Sequence, residues 1–123
     1  MSSYAREKFK VGDIVKLNTR EDIGDFSNYY FVMAYGTYFG NKSRPSVVYR
    51  SLADGFKVFI QPISDFMARI NAERHPNATA EFKFDKVIHI NDLYDKANLH
   101  AEDSFNKRLL TRIVQMMEAQ KLD

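Results

Sequence analysis

The stretch SVVYRSLADGFKVFIQPISDFM, residues 46–67, holds most of what decides the fold. Two runs rich in β-branched and aromatic residues, 46–51 and 57–61, flank Ala53-Asp54-Gly55. Glycine enters positive φ without a Cβ clash, so Asp-Gly between two apolar runs marks a hairpin turn. Pro62 has no N–H to give a ladder and ends the second strand. Ser64 then has the oxygen to cap a short helix carrying Phe66, Met67 and Ile70 on one side. Side chains alternate along a strand, so Val47 and Tyr49 share one face and Val48 and Arg50 the other. Val58 and Ile60 likewise oppose Lys57, Phe59 and Gln61. Joining the faces that carry polar groups sets Arg50 beside Phe59 and Gln61, a cation and an amide next to a ring. The plainer alternative is an arginine packed flat on the sheet, with the amide satisfying a loop carbonyl. The residues leave open which face of 46–51 is buried.

Outward from this hairpin, GDIVKLN predicts a strand over 13–18 after a Gly-Asp turn. YYFVMAY, 29–35, is apolar on both faces and predicts a strand that is central or covered on both sides. GTYFGNKSRP reads as an exposed connection. In EFKFDKVIHI, Phe82, Phe84, Ile88 and Ile90 share one parity, broken by Lys86, which predicts a half-buried antiparallel strand. From about Asp103 the period changes. Phe105, Leu109, Leu110, Ile113, Val114, Met116 and Met117 recur at three-to-four spacing, an amphipathic helix over about 103–120 capped by Asp103 or Ser104.

Five short strands, one helical turn and a terminal helix predict a mainly β (α+β) single domain over 1–123. Its core, about 11–91, is expected to be a small SH3-like, strongly bent antiparallel barrel. The apolar stripe of the helix must be covered, either by that barrel or by a second copy.

Composition bounds the rest. Hydrophobic residues are 45% and charged residues 28% of 123, enough for one ordinary core. A net charge of +2 is too small to imply nucleic acid by itself. With no cysteine there are no disulfides, thiolate zinc sites or thiol nucleophiles, and a reducing, cytoplasmic setting is the expectation. No apolar run is long enough to span a bilayer, and MSSYAREKFKVGD lacks the apolar core of a signal peptide, so no membrane contact is expected. Seven Tyr and ten Phe with no Trp suit a compact β core or an aromatic binding face.

No catalytic constellation stands out. His75, His89 and His100 fall on separate elements, so no metal site is expected, and Glu21, Asp22 and Asp25 lack a calcium-loop pattern. There is no Gly-x-Ser-x-Gly and no glycine-rich loop opening a helix, hence no implied nucleophile or cofactor. Tyr38, Lys42 and Arg44, beside Gly36 and Gly40, suit an anion or a nucleic-acid backbone. The expectation is a non-enzymatic binding module using Tyr49, Arg50, Phe59 and Gln61 with that loop alongside. Its partner would be a protein, or alternatively nucleic acid or a small anionic ligand such as a nucleotide. A third alternative is a structural homo-oligomer joined through Phe105, Leu109, Leu110, Ile113, Val114 and Met117.

VVYRSL, then FKVFIQPISDFM, then ATAEFKFDKV resembles domain-of-unknown-function family 1653, small bacterial and phage proteins, over roughly residues 29–87. Val47, Val48, Tyr49, Arg50, Leu52, Pro62 and Phe66 match its pattern. Phe59 stands where that family carries an aromatic, often Trp. Gln61 replaces the arginine before the proline, which removes a charge from any anion site there. The resemblance implies a compact SH3-like β domain and carries no activity with it.

Overall fold

The computed structural model describes residues 8–38, 44–99 and 104–121. In chain order these form β1 (Asp13–Leu17), β2 (Tyr29–Tyr38), β3 (Arg44–Ser51), β4 (Val58–Pro62), α1 (Ile63–Phe66), β5 (Phe84–His89), α2 (Ile90–Leu99) and α3 (Ser104–Lys121). The strands make one antiparallel sheet in the order β4-β3-β2-β1-β5. The expected strand count, pairing sense, helical turn and C-terminal helix are all present. The barrel is not closed, because β4 and β5 remain separate edges.

The sheet is nevertheless strongly bent. Tyr49 on β3 and Phe84 on β5 are three strand spacings apart in the sheet order, roughly 14 Å if it were flat. Their ring centroids lie 5.8 Å apart. That curvature encloses an inner core of Phe9, Val15, Tyr30, Val32, Val47, Tyr49, Phe66 and Phe84. On the other face Ile14, Phe26, Tyr29, Leu52 and Ile88 pack against Leu93 of α2 and Leu109, Ile113 and Met116 of α3. Neighbours Ile14/Val15 and Tyr29/Tyr30 thus enter opposite cores, so β1 and β2 are covered on both sides.

Two bulges correct the simple alternation. Ile14 pairs Ile88 but Val15 pairs Lys86, leaving Val87 as an extra residue. An extra residue reverses the facing of everything beyond it. Phe84 therefore enters the inner core and Ile88 the outer one, although their spacing predicts a shared face. The second bulge, at Met33, lies between the pairs Val32↔Tyr49 and Ala34↔Val48.

Other boundaries move for local reasons. β2 and β3 extend to Tyr38 and Arg44, into the expected connection. Pro45 is tolerated there because the β3–β4 ladder stops at Ser46↔Pro62 and leaves Pro45 no second neighbour. α1 starts one residue before Ser64. Its N-cap is Pro62, with no side-chain cap, since φ −58° and ψ 142° suit proline. The last strand ends at His89 and turns directly into α2, a helix the strand-like reading of Ile90 conceals. Asp103 lies outside the described residues, and α3 runs from Ser104.

The apolar stripe of α3 is core of its own chain. Leu109, Ile113 and Met116, at i, i+4 and i+7, are buried, with Phe105, Leu110 and Met117 packed beside them. Val114 is the correction. One step, about 100°, past Ile113, it points outward and is 42% exposed.

Candidate functional site

The hairpin that opens the sequence carries the site, but with a shifted register. A two-residue Asp54-Gly55 turn would pair Ala53 with Phe56 and set Arg50 opposite Phe59. Instead Gly55 (φ 90°) and Phe56 (φ 46°) both take the left-handed conformation, and the loop gains a residue. Tyr49 then pairs Phe59, Val47 pairs Gln61 and Arg50 pairs Val58. The sequence expectation for Arg50 is thereby corrected: it lies on the opposite face from Phe59 and Gln61. There its Nε donates to the Phe56 carbonyl at 2.7 Å, and its side chain is buried. Arg50 holds the turn.

Tyr49, Phe59 and Gln61 do come together. The Tyr49 and Phe59 rings stack at 5.6 Å with 22° between planes. Gln61 Nε2 donates to the Tyr49 hydroxyl at 2.8 Å. Tyr30 from β2 and Phe84 from β5 approach edge-on, at 5.4 and 5.8 Å from the Tyr49 ring. Burial pushes the Tyr49 phenol up to about 12, with the neighbouring Tyr30 adding to the shift and the Gln61 amide opposing it. Near neutral pH it is an uncharged hydroxyl, able to accept and donate.

These rings line a cavity of about 490 Å³ between the unjoined edges β4 and β5. Its far wall is the segment after α1. Ile70 N donates to Glu81 O at 2.9 Å and Lys83 N to Ala68 O at 3.1 Å, which docks residues 68–70 onto 81–83. That docking delivers Arg69, Arg74, His75 and Lys83 to the same cavity. Asn71 fixes the turn carrying Arg74, its Oδ1 accepting from Glu73 N at 2.9 Å and its carbonyl from His75 N at 3.0 Å. Among the described residues no carboxylate lines this cavity. Arg69 pairs with Glu81 and lies over Phe82, whereas Arg74 and Lys83 form no ion pair among the described residues. Phe59 is half-buried while Tyr30, Tyr49 and Phe84 are buried, so Phe59 is the most accessible of the four rings, with Tyr49 stacked on it and the Lys57 ammonium 5.8 Å from its centroid.

A second cavity, about 690 Å³, adjoins the first, and Thr19, Arg74 and His75 line both. Asn18, Arg20, Glu21, Asn77 and Thr79 are among its other walls. Arg20 Nη2 donates to the Tyr30 hydroxyl at 3.2 Å, which ties the second cavity to the floor of the first.

The remaining expected residues lie elsewhere. Arg44 is exposed at the start of β3, six residues and roughly 20 Å along the strand from Arg50, so the two do not converge. The backbone of Tyr38 ends β2 opposite Arg44, and Lys42 falls outside the described residues. In the acidic loop, an N–H bond from Gly24 lowers Asp22 and bonds from Ser27 lower Asp25. Asp22 also pairs with Lys16 at 3.2 Å, so these carboxylates serve their own turns. Among the described residues no group of three His, Cys, Asp or Glu could hold a metal ion. Among those residues, too, no helix is long and apolar enough to cross a membrane.

Sequence reasoning missed Arg69, Arg74, His75 and Lys83. NAERHPNATA reads as a solvated loop, and its nearness to the hairpin depends on the 68–70 to 81–83 docking, which no local pattern announces. Comparison with protein-family models, with curated proteins and with solved structures gave no match.

Proposed function

We propose that this chain is a non-enzymatic binding module whose ligand is an anion carrying a flat ring, held in the cavity between β4 and β5. One observation carries this: a ring-lined floor and a rim of cations meet in a cavity lined, among the described residues, by no carboxylate. Its 490 Å³ lies within the roughly 300–1,000 Å³ of ordinary small-ligand sites. Phe59 supplies a stacking surface, Arg74 and Lys83 supply charge, and Gln61 with the Tyr49 hydroxyl supplies orienting hydrogen bonds. A cytoplasmic setting, argued from the cysteine-free composition, and membership of family 1653 belong to the same proposal.

The test is calorimetric titration with a nucleoside monophosphate, its parent nucleoside and inorganic phosphate as probes. The monophosphate should bind at least tenfold more tightly than either part. Phe59→Leu and the pair Arg74→Ala/Lys83→Ala should each weaken it at least tenfold, and Arg44→Ala should leave it unchanged. Equal loss in the Arg44 variant, or binding indifferent to Phe59 and Arg74, would remove the cavity from the account.

A second reading, in which a protein is the partner, is favoured by the β4 edge. Ser51 N donates to Lys57 O, which turns the backbones of residues 57, 59 and 61 toward β3 and those of Val58 and Ile60 toward the open edge. Val58 and Ile60 are 48% and 67% exposed. An extended peptide adding a strand there would be released by Ile60→Pro and untouched by Arg74→Ala.

A further inference from the structure

We infer that the ligand is single-stranded nucleic acid spanning both cavities, an inference that rests on the binding role proposed above and goes beyond it. The two cavities share Thr19, Arg74 and His75, so a chain leaving the first past Arg74 enters the second directly. Their chemistry differs in a way that fits successive parts of one strand. Among the described residues the first has four phenylalanine and tyrosine rings and the second has none, with the His75 imidazole shared between them. In their place the second offers Thr19, Asn77 and Thr79, which suit a sugar, a phosphate or a base edge. Arg69 and Lys83 lie on the first, Arg20 on the second and Arg74 on both, with Glu21 the one carboxylate among the described lining residues.

Size argues against a lone mononucleotide. The first cavity already has the volume of a small-ligand site, so one nucleotide in it would leave the adjoining 690 Å³ unused. The floor argues against a duplex, because Phe59 can stack only on a base that is not stacked on its own neighbours. The module would therefore hold one base over Phe59, a bridging phosphate at Arg74 and the next nucleotide beside Arg20. Three engaged cations, Arg20, Arg74 and Lys83, predict a log–log salt slope of about −2 for a single strand. The chain's overall charge of only +2 confines this attraction to one face.

The experiment titrates the 123-residue chain with thymidine monophosphate, the dinucleotide pTpT, a dT hexamer and a short duplex of matched sequence, at two salt concentrations. We expect pTpT to bind at least tenfold more tightly than the monophosphate and the hexamer less than tenfold more tightly than pTpT. The duplex should bind at least tenfold more weakly than the hexamer, and Arg20→Gln should cut the dinucleotide advantage below threefold. Equal affinity for monophosphate and dinucleotide, with both sensitive to Phe59→Leu, overturns this inference and leaves the binding role standing. Equal affinity for duplex and hexamer overturns the single-strand assignment. If no nucleotide binds, while an acidic peptide bearing phenylalanine binds in a Phe59- and Arg74-dependent way, the ligand class is wrong but the cavity is right. If no probe of either kind binds, both the inference and the binding role fall.

Discussion

Arg112 of α3 fastens the helix to the hairpin that carries Tyr49, Phe59 and Gln61, and its removal has a cost that can be worked out. Its Nε donates to the carbonyl of Leu52 at 2.6 Å, its Nη2 to Asp54 Oδ1 at 2.5 Å, and its guanidinium lies 4.8 Å over the Phe56 ring. Leu52 is fully buried, so Arg112→Ala leaves its carbonyl without this charged donor, a loss of about 1.5–3 kcal/mol. The ring contact adds about 0.5–1 kcal/mol. Asp54 is 99% exposed, and its ion pair contributes at most a few tenths, about 0.5 kcal/mol or less. Together the loss is about 2–4 kcal/mol, which at a mid-range slope of about 2 kcal/mol per molar moves the urea midpoint down by roughly 1–2 M. Urea denaturation followed by far-UV circular dichroism reads this, and Asp54→Ala measured in parallel should shift by less than about 0.5 kcal/mol. The reasoning is refuted if Arg112→Ala costs under about 0.5 kcal/mol, or if the Asp54 variant costs as much, because the buried carbonyl would then not be what matters.

Three further outcomes follow from the same structure. Gly55 sits at φ 90° with open space at its missing Cβ, so Gly55→Ala should cost about 1–2 kcal/mol from backbone strain alone. Gly36, with no positive φ and equally open, should accept Ala within about 0.5 kcal/mol, and equal costs in thermal melts would contradict the turn geometry. Burial pushes the Tyr49 phenol up to about 12 from an ordinary 10.0, so the folded state resists its ionisation. Its contribution, about 1–2 kcal/mol after allowing for water in the cavity, is present below pH ~10 and lost as pH rises toward ~12. Absorbance of tyrosinate should show this hydroxyl ionising after the bulk of the tyrosines, and its early ionisation in a folded chain would sink the assignment. Ile113→Asp buries a charge in the outer core and should unfold the chain at every protein concentration. A folded, monomeric variant seen by sedimentation would instead mean that the stripe is an interface.

Much of this was legible in the residues because the signals are local. The hairpin between β3 and β4, Pro62 ending an edge strand and the three-to-four period of α3 each depend on a few neighbours, and each appears where expected, although the turn itself is one residue longer than Asp-Gly predicts. The sequence names Tyr49, Phe59 and Gln61, but its face pairing sets Tyr49 apart from the other two, and only the shifted register joins them. Arg50 was misplaced by a single residue, since a left-handed Phe56 lengthens the loop and reverses which faces meet. Bulges at Met33 and Val87 act alike, and nothing in alternating hydrophobicity announces an inserted residue. The cations of the cavity were illegible for another reason. Arg74 and Lys83 come to the same cavity as Phe59 only through tertiary docking around a loop, residues 71–80, whose sequence is mostly polar and has no strand or helix period.

The binding role requires Phe59, Arg74 and Lys83 to act as one site. The decisive measurement is a double-mutant cycle on nucleoside monophosphate binding, comparing Phe59→Leu, Arg74→Ala/Lys83→Ala and their combination by calorimetry in folded proteins. One ligand touching ring and cations together predicts that each change alone weakens binding at least tenfold and that the combination costs measurably less than their sum. Unchanged affinity in all three variants would contradict the account, because the ligand would then lie outside this cavity.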